Sequence, residues 1–189
     1  MYRSTLAAFA IAAATSASAN EFAPAMESFM STEIMNWAND AVIVSAIMDQ
    51  NARYAGLAQA DIDAMDQAWR AEVGMANAPT ITPVLMNSAS DFLRQHVAAS
   101  GGMITEVFIM DNHGLNVAAS DVTSDMWQGD EAKFSKTYPM GAGAFHLSDV
   151  DFDESTQTYQ GQISMTIVDP ASGAPIGAIT VGVNADALL

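Results

Sequence analysis

The sequence predicts an α+β protein, with a long N-terminal helix and two further helices packed on a mainly antiparallel five-stranded sheet. Three observations predict it. Between residues 25 and 100 apolar side chains recur every three or four positions, the period of a helix. From Ile104 onward, short runs of β-formers alternate with turn residues. The helices precede the strands instead of alternating with them, which favours α+β over a parallel α/β sheet.

The first nineteen residues read as a secretory signal peptide. Met1-Tyr2-Arg3 is a short positive region, Leu6 to Ala14 is apolar, and Ala17-Ser18-Ala19 is a small-x-small cleavage site. The apolar run is shorter than the roughly 20 residues a bilayer requires. The mature chain is therefore expected to begin near Asn20, in the periplasm or outside the cell, with no membrane insertion after cleavage. About 170 residues remain, enough for one domain and too few for two. Residues 20–189 are read as that domain, helical over 20–103 and sheet-forming over 104–189.

Half of all residues are apolar, 15% are charged, and cysteine is absent. Stability in an oxidising compartment then rests on packing, and disulfide chemistry, thiolate catalysis and cysteine-zinc sites are excluded. Six Lys and Arg against 22 Asp and Glu give a net charge of −16. Nucleic acid and anionic lipid are unsuitable partners, because both require a cationic footprint.

From about Ala25 to Ala55, Met26, Met30, Ile34, Trp37, Ala41 and Met48 fall on one helical face. The stretch Ala41 to Met48 is almost wholly apolar, so it calls for cover beyond the sheet, either core or the same helix of a second copy in a homodimer. Leu57 to Val73 forms a second helix with carboxylates in its first turn. A loop with Pro79 and Pro83 follows, and a third helix runs from near Pro83 to Ser100, where Gly101-Gly102 stops it. His96 is a polar position on that helix.

Val107 to Met110, the turn Asp111-Asn112-His113-Gly114 and Leu115 to Ala119 make a hairpin. Ser120 to Asp125 is a polar bend, and Met126 to Phe134 carries an aromatic residue, a glycine and the start of a short helix. Three strands close the chain, Ala144 to Val150, Tyr159 to Val168 and Ile176 to Val183. The last two are joined by the turn Asp169 to Gly173.

The hairpin ITEVFIMDNHGLNVAASD, the following SDMWQGDEAKF and the strand pair Gln162–Asp169 and Pro175–Val183 resemble the Cache superfamily. These modules, also called PDC sensor domains, are extracytoplasmic PAS-like sensor units of bacterial receptors. The resemblance implies a free-standing sensor domain that binds a small molecule under the loop and helix after the hairpin. It further implies a partner, a membrane receptor or another periplasmic protein, to carry the signal.

Three groups of residues are candidates for chemistry. Lys133 and Lys136 lie three apart and share a helix face. One of them is placed to meet a ligand carboxylate, with Trp127, Tyr138, Phe145 and Tyr159 as walls and His146 as a donor. A solvated face, with Lys133 paired to Asp130, is the plain alternative. Asp149, Asp151 and Asp153 open like a calcium loop, but Glu154 and Gln160 stand where such a loop requires glycine and glutamate. An exposed acidic turn is the preferred reading there. No Gly-x-Ser-x-Gly or His-Glu-x-x-His occurs, and the three histidines fall on separate elements.

The chain is accordingly read as a non-enzymatic, periplasmic small-molecule-binding sensor protein with no cofactor, its ligand a small polar organic molecule of the amino-acid or carboxylate class. A calcium-dependent structural module and a periplasmic enzyme built on His146 are the alternatives.

Overall fold

The computed structural model describes residues 20–153 and 158–188. The expected signal peptide, and Glu154 of the acidic run, lie outside them. The framework is an antiparallel sheet of six strands: β1 (Ile104–Met110), β2 (Asn116–Ala119), β3 (Phe145–Leu147), β4 (Asp151–Asp153), β5 (Thr158–Val168) and β6 (Pro175–Asn184). Their order is β2-β1-β6-β5-β3, with β4 also paired to β5. The predicted hairpin and the two closing strands are present. The predicted strand Ala144–Val150 is shortened to Phe145–Leu147, ending where Ser148 binds Gln162 with its own hydroxyl. That hydroxyl accepts from the Gln162 amide at 2.8 Å while the Ser148 amide donates to the Gln162 carbonyl. The acidic run continues as β4, with Asp151 opposite Gln160 and Phe152 opposite Tyr159, and so forms a strand where an exposed turn was expected.

The long N-terminal helix is also two pieces, α1 (Ala23–Thr32) and α2 (Ala41–Arg53), separated by a 3-10 turn at Ile34–Asn36. The break has a local cause, since the Asp40 carboxylate accepts from the Val42 amide at 2.9 Å and caps α2. It also has a distant one. Trp37 leaves the helical path and stacks on His96, ring centroids 4.3 Å apart at 18°. The second helix is present as α3 (Gln59–Glu72). The third is again two, α4 (Ile81–Leu85) and α5 (Ser88–Ala99), where Asn87 caps the Ser90 amide and donates to the carbonyls of Pro83, Val84 and Val117.

Side chains alternate across a strand, so each face of the sheet has its own character. Helices α1, α2 and α5 cover one face, burying Ile43, Ile47 and Leu93 against Val107, Ile109, Ile163, Ile179 and Val181. A short helix α6 (Ala132–Ser135) and a 3-10 turn (Tyr138–Met140) cover the other, where Phe134 packs on Phe108, Met110 and Ala178. Helix α3 packs away from the sheet, its Ile62 and Trp69 meeting Leu115 and Met126 beside the hairpin. No helix among the described residues is long and apolar enough to cross a membrane.

Candidate functional site

The hairpin turn is organised by Asp111, which is fully buried. Its carboxylate accepts from the amides of His113 and Leu115, at 2.8 and 3.0 Å, and from the Gln50 side chain at 2.9 Å. Burial nevertheless raises its pKa above the ordinary value, the hydrogen bonds opposing. Asp66 of α3 ties the following loop down in the same way, accepting from the amides of Met126 and Trp127, both at 3.0 Å, and from Arg70. The loop closes on the hairpin so tightly that Gly114, at φ +83°, sits against Gly129. A β-carbon on Gly129 would collide with the Trp127 indole. The indole itself donates to the His113 carbonyl at 2.9 Å.

With the loop pinned, the sheet face beneath it forms two cavities that share Gln162. The first, about 450 Å³, is lined by Glu106 and Phe108 of β1, Gln162 of β5, and Gln128 and Lys133 of the loop and α6. Lys133 is largely buried, with its ammonium 3.0 Å from the Glu131 carboxylate, 3.1 Å from the Gln128 side-chain oxygen and 5.3 Å from the Phe108 ring centre. The second, about 590 Å³, is lined by Lys136, His146, Ser148, Asp149, Asp151, Gln160 and Gln162. Burial and the nearby Lys136 charge hold the His146 imidazole below its ordinary pKa, with Asp149 opposing. Among the described residues Lys136 forms no salt bridge.

The wall between the two cavities is built from amides and a carboxylate. Gln160 and Gln162 both donate to one oxygen of Glu106, at 2.8 and 3.2 Å. Gly182 stands opposite Glu106 and Gln162 in the ladder and leaves the room they need. Because the Gln160 nitrogen is committed to Glu106, the orientation of its carboxamide is set. Its oxygen is buried and has no hydrogen-bond partner among the described residues, and the residue is 7% exposed.

The candidate residues named from sequence therefore divide. Lys133 lines one cavity, and Lys136 and His146 the other. Trp127 ties the loop to the hairpin. Tyr138 stacks on Phe134 at 5.4 Å as part of the cover. Phe145, 45% exposed, pairs with Met165 on the helix-covered face. Tyr159 is exposed and meets Phe152 edge-on at 5.5 Å. Asp149 and Asp151 line the second cavity, but no group of three His, Asp or Glu among the described residues is placed to hold a metal ion. Glu106, Gln128, Gln160 and Gln162 did not stand out in the sequence. The signal for the last two was polar side chains at alternate positions of an otherwise apolar strand, Gln160, Gln162, Ser164 and Thr166.

Two further cavities lie on the helix side. One of about 660 Å³ runs between α1 and α5, and one of about 540 Å³ lies between α2, α4 and β2.

No protein family and no curated protein matches the chain by sequence. Solved structures do resemble it. The ligand-binding domain of the Campylobacter jejuni chemoreceptor Tlp3, in complex with 4-methylisoleucine, aligns at TM-score 0.42 and 14% identity, over 87% of this chain and 62% of that one. The extracellular domain of the putative histidine kinase rpHK1S-Z16 aligns at 0.44 and 13%, over 65% and 54%. The sensor domain of the V. cholerae histidine kinase DctB aligns at 0.34 and 10%, over 88% and 58%. By name these neighbours are a ligand-binding, an extracellular and a sensor domain, and the chain spans less than two thirds of each. At such identities the likeness is one of chain path, and the chemistry of the site is read from this chain's own residues.

Proposed function

We propose that the protein is a free-standing extracytoplasmic sensor module that takes a small polar organic molecule, of the amino-acid or carboxylate class, into the two-part cavity beneath the hairpin loop. The observation that carries this reading is the polar lining of the second cavity, where Lys136, which forms no salt bridge among the described residues, meets His146, Gln160 and Gln162. Lys136 supplies a charge for a ligand carboxylate, and Lys133 a second one if Glu131 yields it. Glu106 and Gln162 hold the wall in place between them. Binding takes effect through the sheet. The strands that present Glu106, Gln160 and Gln162 to the ligand carry on their other face the side chains on which α1, α2 and α5 pack, so a ligand that redraws the polar side loads the helix side. A partner protein then reads the change.

The test is a thermal-shift screen of the protein against amino acids, small carboxylates and, as a control, calcium. A ligand at about a hundred times its Kd adds roughly 2.7 kcal/mol, which raises Tm by roughly 5–10 °C for a chain of this size. The gain is expected to vanish in Lys136→Ala and in Gln160→Leu, each checked for folding by a cooperative melting transition without ligand. A shift produced by calcium alone, or one indifferent to both substitutions, contradicts the assignment.

A further inference from the structure

The cavity of about 660 Å³ between α1 and α5 belongs to a different part of the molecule and has a different chemistry. It runs along α1, crosses the 3-10 turn and ends at the last turn of α5, with Phe29, Glu33, Trp37, His96, Met103 and Leu188 on its walls. Its aromatic side is preformed, because the Trp37 ring lies against His96 and Phe92 packs on His96 in turn, centroids 4.6 Å apart. No lysine or arginine lines it, and Glu33 contributes a carboxylate. The closing residues of two helices, Thr32 of α1 and Ala99 of α5, also stand on its wall, and helix C-termini carry partial negative charge. Burial keeps His96 below its ordinary pKa, so the imidazole adds no opposing charge at neutral pH. The net charge of −16 concentrates cations around the whole surface.

We infer that this groove binds a small organic ammonium ion with an apolar body, the cation held by Glu33 and the carbonyl ends of α1 and α5 and the body lying among Phe29, Trp37 and Met103. An aromatic wall stabilises a cation as well as a hydrocarbon, which a neutral apolar groove has no means of distinguishing. The site is separate from the cleft beneath the hairpin loop and stands or falls independently of it.

The experiment compares two molecules of nearly the same shape, 2-phenylethylammonium and 2-phenylethanol, by following the Trp37 indole N–H resonance, assigned by its loss in Trp37→Phe. The amine is expected to move that resonance saturably, and the alcohol to bind at least about ten-fold more weakly. Glu33 is exposed, so Glu33→Gln leaves the fold intact and is expected to weaken the amine about five-fold, less so in high salt. Lys136→Ala and Gln160→Leu, which act on the other cavity, are expected to leave the titration unchanged. Equal binding of the alcohol would show a plain apolar groove and overturn the inference. So would the absence of a saturable shift, or a Trp37 resonance that moves with protein concentration alone, which would place a second copy of the chain in the groove.

Discussion

The two faces of one sheet carry opposite chemistry in adjacent residues. Across the centre, Ile109, Ile179 and Met165 form a row on the helix-covered face, while one residue along, Phe108, Thr180, Ser164 and His146 form a row on the face beneath the loop. The first face is sealed by three helices and is apolar throughout its centre. The second contains the Ser164–Thr180 hydroxyl pair at 3.0 Å, the Glu106–Gln160–Gln162 cluster, and oxygens of Gln160 and Thr166 that have no partner among the described residues. Sealing both faces with apolar side chains would give a more stable sheet. The second face gives up part of that stability for a cleft with polar walls.

Substitutions on the two faces break this comparison in opposite directions. Ile179→Ala, at a fully buried position of the helix-covered face, is expected to cost about 2–5 kcal/mol in denaturant unfolding, with no change in ligand affinity beyond that due to unfolding. Gly129→Ala acts on the roof of the other face by forcing the Trp127 indole off the His113 carbonyl. A loss of about 1–3 kcal/mol is expected, together with weaker binding in the cleft.

The histidines sharpen the comparison by pH. His96 on the helix side and His146 beneath the loop both have imidazoles held below the ordinary value by burial, aided at His146 by Lys136. At these two imidazoles the unfolded chain binds more protons than the folded one in the window below about pH 6.5, so the stability they contribute falls as pH drops through it, while Asp111, whose pKa burial raises, acts in the opposite direction at lower pH. His146→Gln and His96→Gln should each flatten part of the Tm-against-pH curve there, and a curve unaltered by both would contradict this. The smallest effect is expected at Thr166→Val, which removes a buried hydroxyl oxygen that has no partner among the described residues. Its unfolding free energy should be unchanged or slightly raised, where the same kind of truncation at a bonded hydroxyl costs about 1 kcal/mol.

Within the hairpin, Val107 to Met110 and the turn Asp111 to Gly114 were legible because strand alternation and turn chemistry are local. The closing strands were legible for the same reason, and so was α3, whose span needed correction only at its ends. The breaks between α1 and α2, and between α4 and α5, were under-read. Asp40 and Asn87 are capping residues in plain view, but each sits inside an apolar period that continues across it. Lys133, Lys136 and His146 stood out by being rare in an acidic chain. Their amide neighbours were common residues in a strand, and nothing local distinguishes Gln160 from a solvent-facing glutamine.

By itself, then, the sequence determined the order of helices before strands, the hairpin with its turn Asp111 to Gly114 and the acidic composition, since these are read from composition and from residues within a few positions of one another. The tertiary structure decided what meets across long separations: Trp37 turning out of the helical path onto His96, Asp66 reaching Met126 and Trp127, and Gln160 donating to Glu106 from 54 residues away. Such contacts form only once the sheet is in register. Burial then removes water as a competing partner, so a carboxamide that would be indifferent on the surface is held in one orientation with its oxygen unsatisfied.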